Sequence, residues 1–188
     1  MAPANDDRAD AEVVAPDVAL TDTEANVSYA TVEADDPIYS CHFGGAAAGF
    51  NGVWYSITPT VDTRVTVSTA ATTIFAPSAG APDTLVSIIN AGTGAEIACN
   101  EDISGSNFRS TVSSNLKAST TYLVFVSQWT ELPPGTVGDL VTAFTWSAPL
   151  VLPDNDLVDD ARELTTFPAT STVTNAQNAT TSSTDLAH

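Results

Sequence analysis

The chain is organised around a polar knot set between two apolar runs. Ala98-Cys99-Asn100-Glu101-Asp102 places a cysteine and three oxygen-bearing side chains side by side. Asp83-Thr84-Leu85 opens the run before it, and Thr121-Tyr122-Leu123-Val124-Phe125-Val126 follows it. Both runs are short, apolar and rich in β-branched and aromatic residues. Such side chains fit a pleated, half-buried surface and lose χ1 freedom in a helix.

The same chemistry recurs along the chain. From Val27 the period is two: Val27, Tyr29, Thr31 and Glu33 fall on one face, and Ser28, Ala30 and Val32 on the other. This predicts a strand over 27–33, ended by Asp35-Asp36-Pro37. Further runs lie at 53–58, 64–69, 84–89, 96–99, 110–112, 121–127 and 140–147, separated by Pro, Gly and Asx clusters. About eight short strands with turn signals roughly every ten residues predict an all-β antiparallel sandwich or barrel. No helix-period segment separates the strands, which argues against βαβ units. Hydrophobic residues make up 43% of the 188, enough to bury a real core. Residues 1–26 are polar and acidic and read as an entry segment with a helical turn at most. The sandwich is expected over 27–149.

Acidic residues number 23 against 5 basic ones, a formal charge of −18. Such a surface repels phosphate backbones and anionic lipid heads, so nucleic acid is excluded as a partner. Two uses of the charge remain. Clustered carboxylates can hold hard divalent cations, or the excess serves solubility in a salty or acidic habitat.

Cys41 and Cys99 each lie beside an expected strand. In a Thr/Ser/Asn-rich, Lys-poor chain they fit an exported protein with one bridge, worth ~4 kcal/mol in the loop-entropy model. The alternative is a pair of free buried thiols. No apolar run reaches the length of a membrane span. The start lacks the basic region and apolar run of a signal peptide, so an exported form is expected to be mature or a piece of something longer.

The last forty residues echo the first. Asn155, Asp156, Asp160 and Ala161 repeat the spacing of Asn5, Asp6, Asp10 and Ala11, and Asn178-Ala179-Thr180 parallels Tyr29-Ala30-Thr31. Residues 150–188 are therefore expected to be a linker plus the opening strands of a second, incomplete repeat, with 171–174 strand-like.

Taken in order, Asn5, Asp6 and Ala11, then Glu33 and Pro37, Val53-Trp54-Tyr55, a Thr-rich strand, Asp83-Thr84-Leu85, Cys99-Asn100-Glu101-Asp102 and Thr120-Thr121-Tyr122-Leu123-Val124-Phe125-Val126 resemble the bacterial pre-peptidase C-terminal domain. The resemblance covers 4–147. It implies a jelly-roll-like β-sandwich appended to secreted proteins, without catalysis of its own. It also implies calcium near the entry segment and, in some members, a role in adhesion or substrate binding. Two departures stand out: the family's Asn-Asp-Asp run reads Asn100-Glu101-Asp102 here, and a partial repeat is present with no peptidase attached.

Calcium takes six to eight oxygen ligands. Asn5 and Asp6, brought to Glu33, Asp35 and Asp36, would tie the entry segment to the sandwich. The plainer reading is a capped helical turn and an ordinary Asx turn. Asp83, Asn100 and Asp102 form a second candidate set, with Asx turns again the alternative. By the repeat, Asn155 and Asp156 would begin an equivalent site in a following unit. Cys41-His42 offers no nucleophile pair, because neighbours on an extended chain face opposite ways and the other His is the final residue. No triad or zinc site can be drawn. Trp54 and Tyr55 read as core, and Trp129 as the better surface aromatic. Asn26-Val27-Ser28 and Asn178-Ala179-Thr180 match the glycosylation sequon.

These readings converge on a non-enzymatic, calcium-stabilised repeat unit of an extracellular or cell-surface protein. It is expected to self-associate head-to-tail into a fibre through strand edges of its partial repeat. The alternative is an accessory domain that holds a secreted hydrolase or peptidase on a polysaccharide or protein matrix.

Overall fold

The computed structural model describes residues 1–42, 45, 47–151 and 172–179. Its contacts divide the chain into Met1–Ala148 and Pro149–His188.

The first unit is an all-β sandwich. Its strands are β1 Glu12–Val14, β2 Leu20–Glu24, β3 Ile38–Tyr39, β4 Ala47–Ala48, β5 Phe50–Ile57, β6 Thr63–Ser68, β7 Thr84–Asn90, β8 Glu96–Asn100, β9 Thr111–Leu116, β10 Tyr122–Gln128 and β11 Leu140–Ser147. One sheet has five strands in the order β1-β5-β10-β7-β8, the other four in the order β2-β11-β6-β9, and β3-β4 form a small separate pair. Neighbours are antiparallel except β1 and β5, which run parallel with Glu12 opposite Tyr55. Nine strands thus build the two main sheets among the described residues, against an expectation of about eight.

The extra strands come from the entry segment. Read as a turn at most, it has a three-residue 3₁₀ turn at Arg8–Asp10 and then supplies an edge strand to each sheet. The short reach of β1 and the acidic inner face of β2, where Asp22 and Glu24 follow Leu20, hide the alternation from a hydrophobicity reading. The opposite correction falls on 27–33. Its period of two is real, but Val27–Tyr29 forms a 3₁₀ turn behind Asn26. The turn buries both Val27 and Ser28, which a strand would have pointed to opposite faces. The turn closes on its own backbone, with the Tyr29 amide donating to the Asn26 carbonyl and the Ala30 amide to the Val27 carbonyl, and it is held in place by Asn51 Nδ2 donating to the Ala30 carbonyl and by the Gly135 amide donating to Ser28 Oγ.

The core explains why β7 and β10 are buried on both faces along nearly their whole length and are mostly apolar. On β10, Tyr122, Val124 and Val126 enter the cluster between the sheets, while Leu123 and Phe125 enter a second cluster on the outer face. β5 divides likewise, with Val53, Tyr55 and Ile57 inward and Trp54 outward. A sheet covered on both faces needs apolar residues at every position, as in buried parallel sheets. The outer cover is the entry segment, the Cys41–Cys99 disulfide and Trp129, and it is where the candidate residues gather.

In the second unit, 172–174 carries no strand, and Ala176–Asn178 forms a 3₁₀ turn behind Asn175. The Val27–Tyr29 turn is likewise three residues long, follows an Asn and is followed by an Ala, but Asn175 is left-handed at φ 57° where Asn26 has φ −105°.

Candidate functional site

The outward face of β5 anchors the entry segment. The Trp54 amide donates to the Asn5 carbonyl at 2.8 Å, and Asn5 Nδ2 donates to the Trp54 carbonyl at 3.1 Å. The Arg8 guanidinium lies 5.7 Å from the centroid of the Trp54 ring. This two-way clasp holds Asn5 at 2% exposure and leaves its Oδ1 buried without a hydrogen bond.

Asp6 then reaches the chain before β3. Its carboxylate accepts from the Thr31 amide at 2.9 Å and the Thr31 hydroxyl at 3.0 Å, and the same hydroxyl also bonds Glu33. The Glu33 amide donates to Asp36 Oδ2 at 2.9 Å. Asp36 Oδ1 and Trp54 Nε1 are both buried without a hydrogen bond of acceptable geometry. Burial first, and then the Glu33 and Asp35 charges, push the Asp36 carboxyl up to about 6, against the pull of the Glu33 amide and the Trp54 indole. Four of the five residues expected here, Asn5, Asp6, Glu33 and Asp36, are thus joined through Thr31 and Trp54. Asp35 is exposed and acts through its charge.

The second candidate set is arranged differently. Asn100 Oδ1 accepts from the Thr111 amide at 2.8 Å, and its Nδ2 donates to the Asp102 carbonyl at 3.1 Å, so its side chain serves the turn. Glu101 takes its place. Asp83, Glu101 and Asp102 line an open cleft of about 280 Å³ with Gly105, Phe108 and Trp129. Burial, then Asp102 and Glu101, push the Asp83 carboxyl up to about 6, with His42 opposing. Burial also raises Asp102. Trp129 is half-buried, its Nε1 buried without a partner, and its ring stacks on His42 with centroids 5.7 Å apart. Trp54 and Tyr55 are core residues, at 1% and 0% exposure.

A third acidic group was missed by sequence reasoning. The carboxylates of Glu12, Asp22 and Glu24 lie within 4.8 Å of one another. They are scattered over an entry segment taken to have no strands, so no spacing marked them.

Cys41 and Cys99 form a disulfide across a separation of 58 residues, with Cα atoms 5.8 Å apart. It ties the chain after β3 to edge strand β8, and it consumes the Cys41 thiol. A structural disulfide of this kind belongs to the oxidising, secretory type of compartment. No helix among the described residues is long and apolar enough to cross a membrane. Asn26 is exposed at the head of its turn, and Asn178 Nδ2 donates to the Val151 carbonyl at 2.7 Å. Asn155 and Asp156 lie outside the described residues.

No family model matches the chain. No curated protein matches it either. Among solved structures it is similar to the crystal structure of Aeromonas hydrophila PliG, a periplasmic lysozyme inhibitor of g-type lysozyme. That match has 14% identity and a TM-score of 0.37, and covers 73% of this chain and 96% of that one.

Proposed function

We propose that the chain is a non-catalytic structural unit of an extracellular or cell-surface protein, that calcium fixes its entry segment to the sandwich, and that copies join head-to-tail through the C-terminal partial repeat. The observation that carries this reading is the Asn5–Asp6–Glu33–Asp36 group, with Asn5 Oδ1 buried and unpaired beside a half-buried Asp36 carboxyl that faces the Trp54 indole. An unsatisfied buried acceptor costs about 1–3 kcal/mol. A hard cation at this group would give Asn5 Oδ1 a partner and neutralise carboxylates that otherwise repel. Asn5, Asp6, Glu33 and Asp36 would hold it, and its chemistry there is to crosslink the entry segment to the 31–36 loop. The disulfide supports the compartment. The tandem reading is supported by the three-residue 3₁₀ turn at Ala176–Asn178, which like that at Val27–Tyr29 lies between an Asn and an Ala.

A second reading, an accessory module that binds a polymer, is favoured by the cleft of Asp83, Glu101, Asp102, Phe108 and Trp129. Aromatic walls with carboxylates suit sugar stacking or a basic side chain. Negative-stain electron microscopy with and without a chelator separates the two. The first reading expects filaments that shorten or vanish on chelation and on truncation at Pro149. Isolated particles in calcium would defeat it in favour of the second reading.

A further inference from the structure

We propose that the cleft of Asp83, Glu101, Asp102, Phe108 and Trp129 is a recognition pocket for an arginine side chain presented by another protein. The pocket is built before any partner arrives. The Trp129 amide donates to the Asp83 carbonyl at 3.1 Å, and the Thr84 amide donates to the Phe108 carbonyl at 2.9 Å, so backbone bonds seat both aromatic residues beside Asp83. Ser110 Oγ donates to the Glu101 carbonyl at 2.8 Å, and the Ile103 amide donates to the Arg109 carbonyl at 2.7 Å, which closes the 101–109 loop on itself. A pocket held in this way loses little further freedom when it is filled.

Three features select the occupant. The first is how the carboxylates are spaced. Among the described residues, the trio that converges within 4.8 Å is Glu12, Asp22 and Glu24; Asp83, Glu101 and Asp102 are spread more widely. A bare ion needs its oxygens gathered at about 2.3–2.6 Å. Carboxylates set around an open space of about 280 Å³ suit a broad cationic head on an apolar stem instead. The second is the pair of rings, Phe108 at 39% exposure and Trp129 half-buried. An aromatic face attracts a cation and covers an aliphatic stem, and a flat, weakly hydrated guanidinium does both better than an ammonium. The third is that the chain's own basic residues are engaged elsewhere among the described residues. Arg8 lies against Trp54, Arg64 donates to Asn115, Arg109 Nε donates to the Thr72 carbonyl at 2.8 Å, and Lys117 pairs with Asp62. His42, stacked on Trp129, opposes the charge around Asp83, yet burial and the neighbouring carboxylates still push that carboxyl up to about 6. The charge complement therefore comes from a partner. A neutral sugar would stack on the rings and leave the carboxylates uncompensated.

This inference rests on the second reading above, names its polymer as protein, and holds whether or not copies assemble. The test is an NMR titration of the full, isotope-labelled chain with N-acetylarginine amide, in physiological salt that screens the general pull of a −18 chain on cations. The expected result is saturable movement of the Trp129 indole resonance and of the amides of Asp83 and 101–108. N-acetylcitrulline amide, which keeps the shape and loses the charge, should bind about tenfold more weakly. The lysine analogue should fall between them. Glu101→Gln and Phe108→Ala should each weaken arginine binding about threefold or more. Glu101→Gln leaves the backbone bond to Ser110 in place, and the rest of the spectrum reports that each variant folds. Equal binding of arginine and citrulline, movement spread over the surface away from the cleft, or full binding by both variants overturns the proposal. Chitohexaose titrated in parallel keeps the two readings apart. Shifts at Trp129 with the sugar but not with arginine would retain the second reading and overturn this inference, and silence at the cleft with every probe would defeat both.

Discussion

Asp83 shows how a single carboxyl records its surroundings. Half-buried beside Asp102 and Glu101, it titrates at about 6, above its ordinary value of 3.8. The folded state therefore binds this proton more tightly than the unfolded chain does. Its contribution is unfavourable at neutral pH and is relieved as pH falls from about 6 towards 4. Asp83→Asn should stabilise the protein at pH 7 by about 1 kcal/mol once solvent screening is allowed for, a rise in melting temperature of roughly 3 °C. The gain over wild type should disappear near pH 4. Melting curves across that range check it, and equal gains at both ends would refute the assignment. At this scale the sequence was informative where a residue's partners are local. Asp36 lies three positions from the Glu33 amide it bonds, and the acidic knot at 100–102 announced its own charge. It was silent where partners are distant. Asn100 spends its amide oxygen on Thr111, eleven positions on, and nothing in its own segment shows that Glu101 would face the cleft instead.

The strands were legible in proportion to how much apolar surface they bury. β7, β10 and β11 carry nearly continuous apolar runs or clean alternation and lie where the sequence placed them. β2 does not, because its inward positions are filled by carboxylates, and 27–33 misled because a 3₁₀ turn can bury two consecutive side chains. β5 adds a constraint invisible to pattern reading. Gly52 lies directly under the Phe125 ring of β10, so a Cβ there collides with the aromatic face. Phe125 is pinned between Trp54 and Tyr39, with ring centroids at 4.4 and 5.9 Å, and cannot swing aside. Gly52→Ala should therefore cost about 1–3 kcal/mol as overpacking. Urea denaturation should show a lower midpoint at an unchanged slope. A variant as stable as wild type would mean that the outer layer is looser than the contacts imply.

Across the whole molecule, one segment does more than its composition suggests. Residues 1–26 give an edge strand to each sheet, clasp Trp54 through Asn5, and carry part of the proposed cation site. The all-β sandwich was readable because a two-sheet core imposes its period on most of the chain. The role of this segment was not, because its structure comes from what it packs against: Glu12 is set by Tyr55, and Asp22 by Thr142. The central claim is that calcium locks this segment down. Its most direct test is scanning calorimetry of the full chain with excess calcium and then with a chelator. At about a hundred times the dissociation constant, calcium should add about 2.7 kcal/mol and raise the melting temperature by roughly 5–10 °C. That increment should vanish when Asp6→Asn and Asp36→Asn are added. A melting temperature indifferent to calcium, or an increment that survives those two substitutions, would contradict the account.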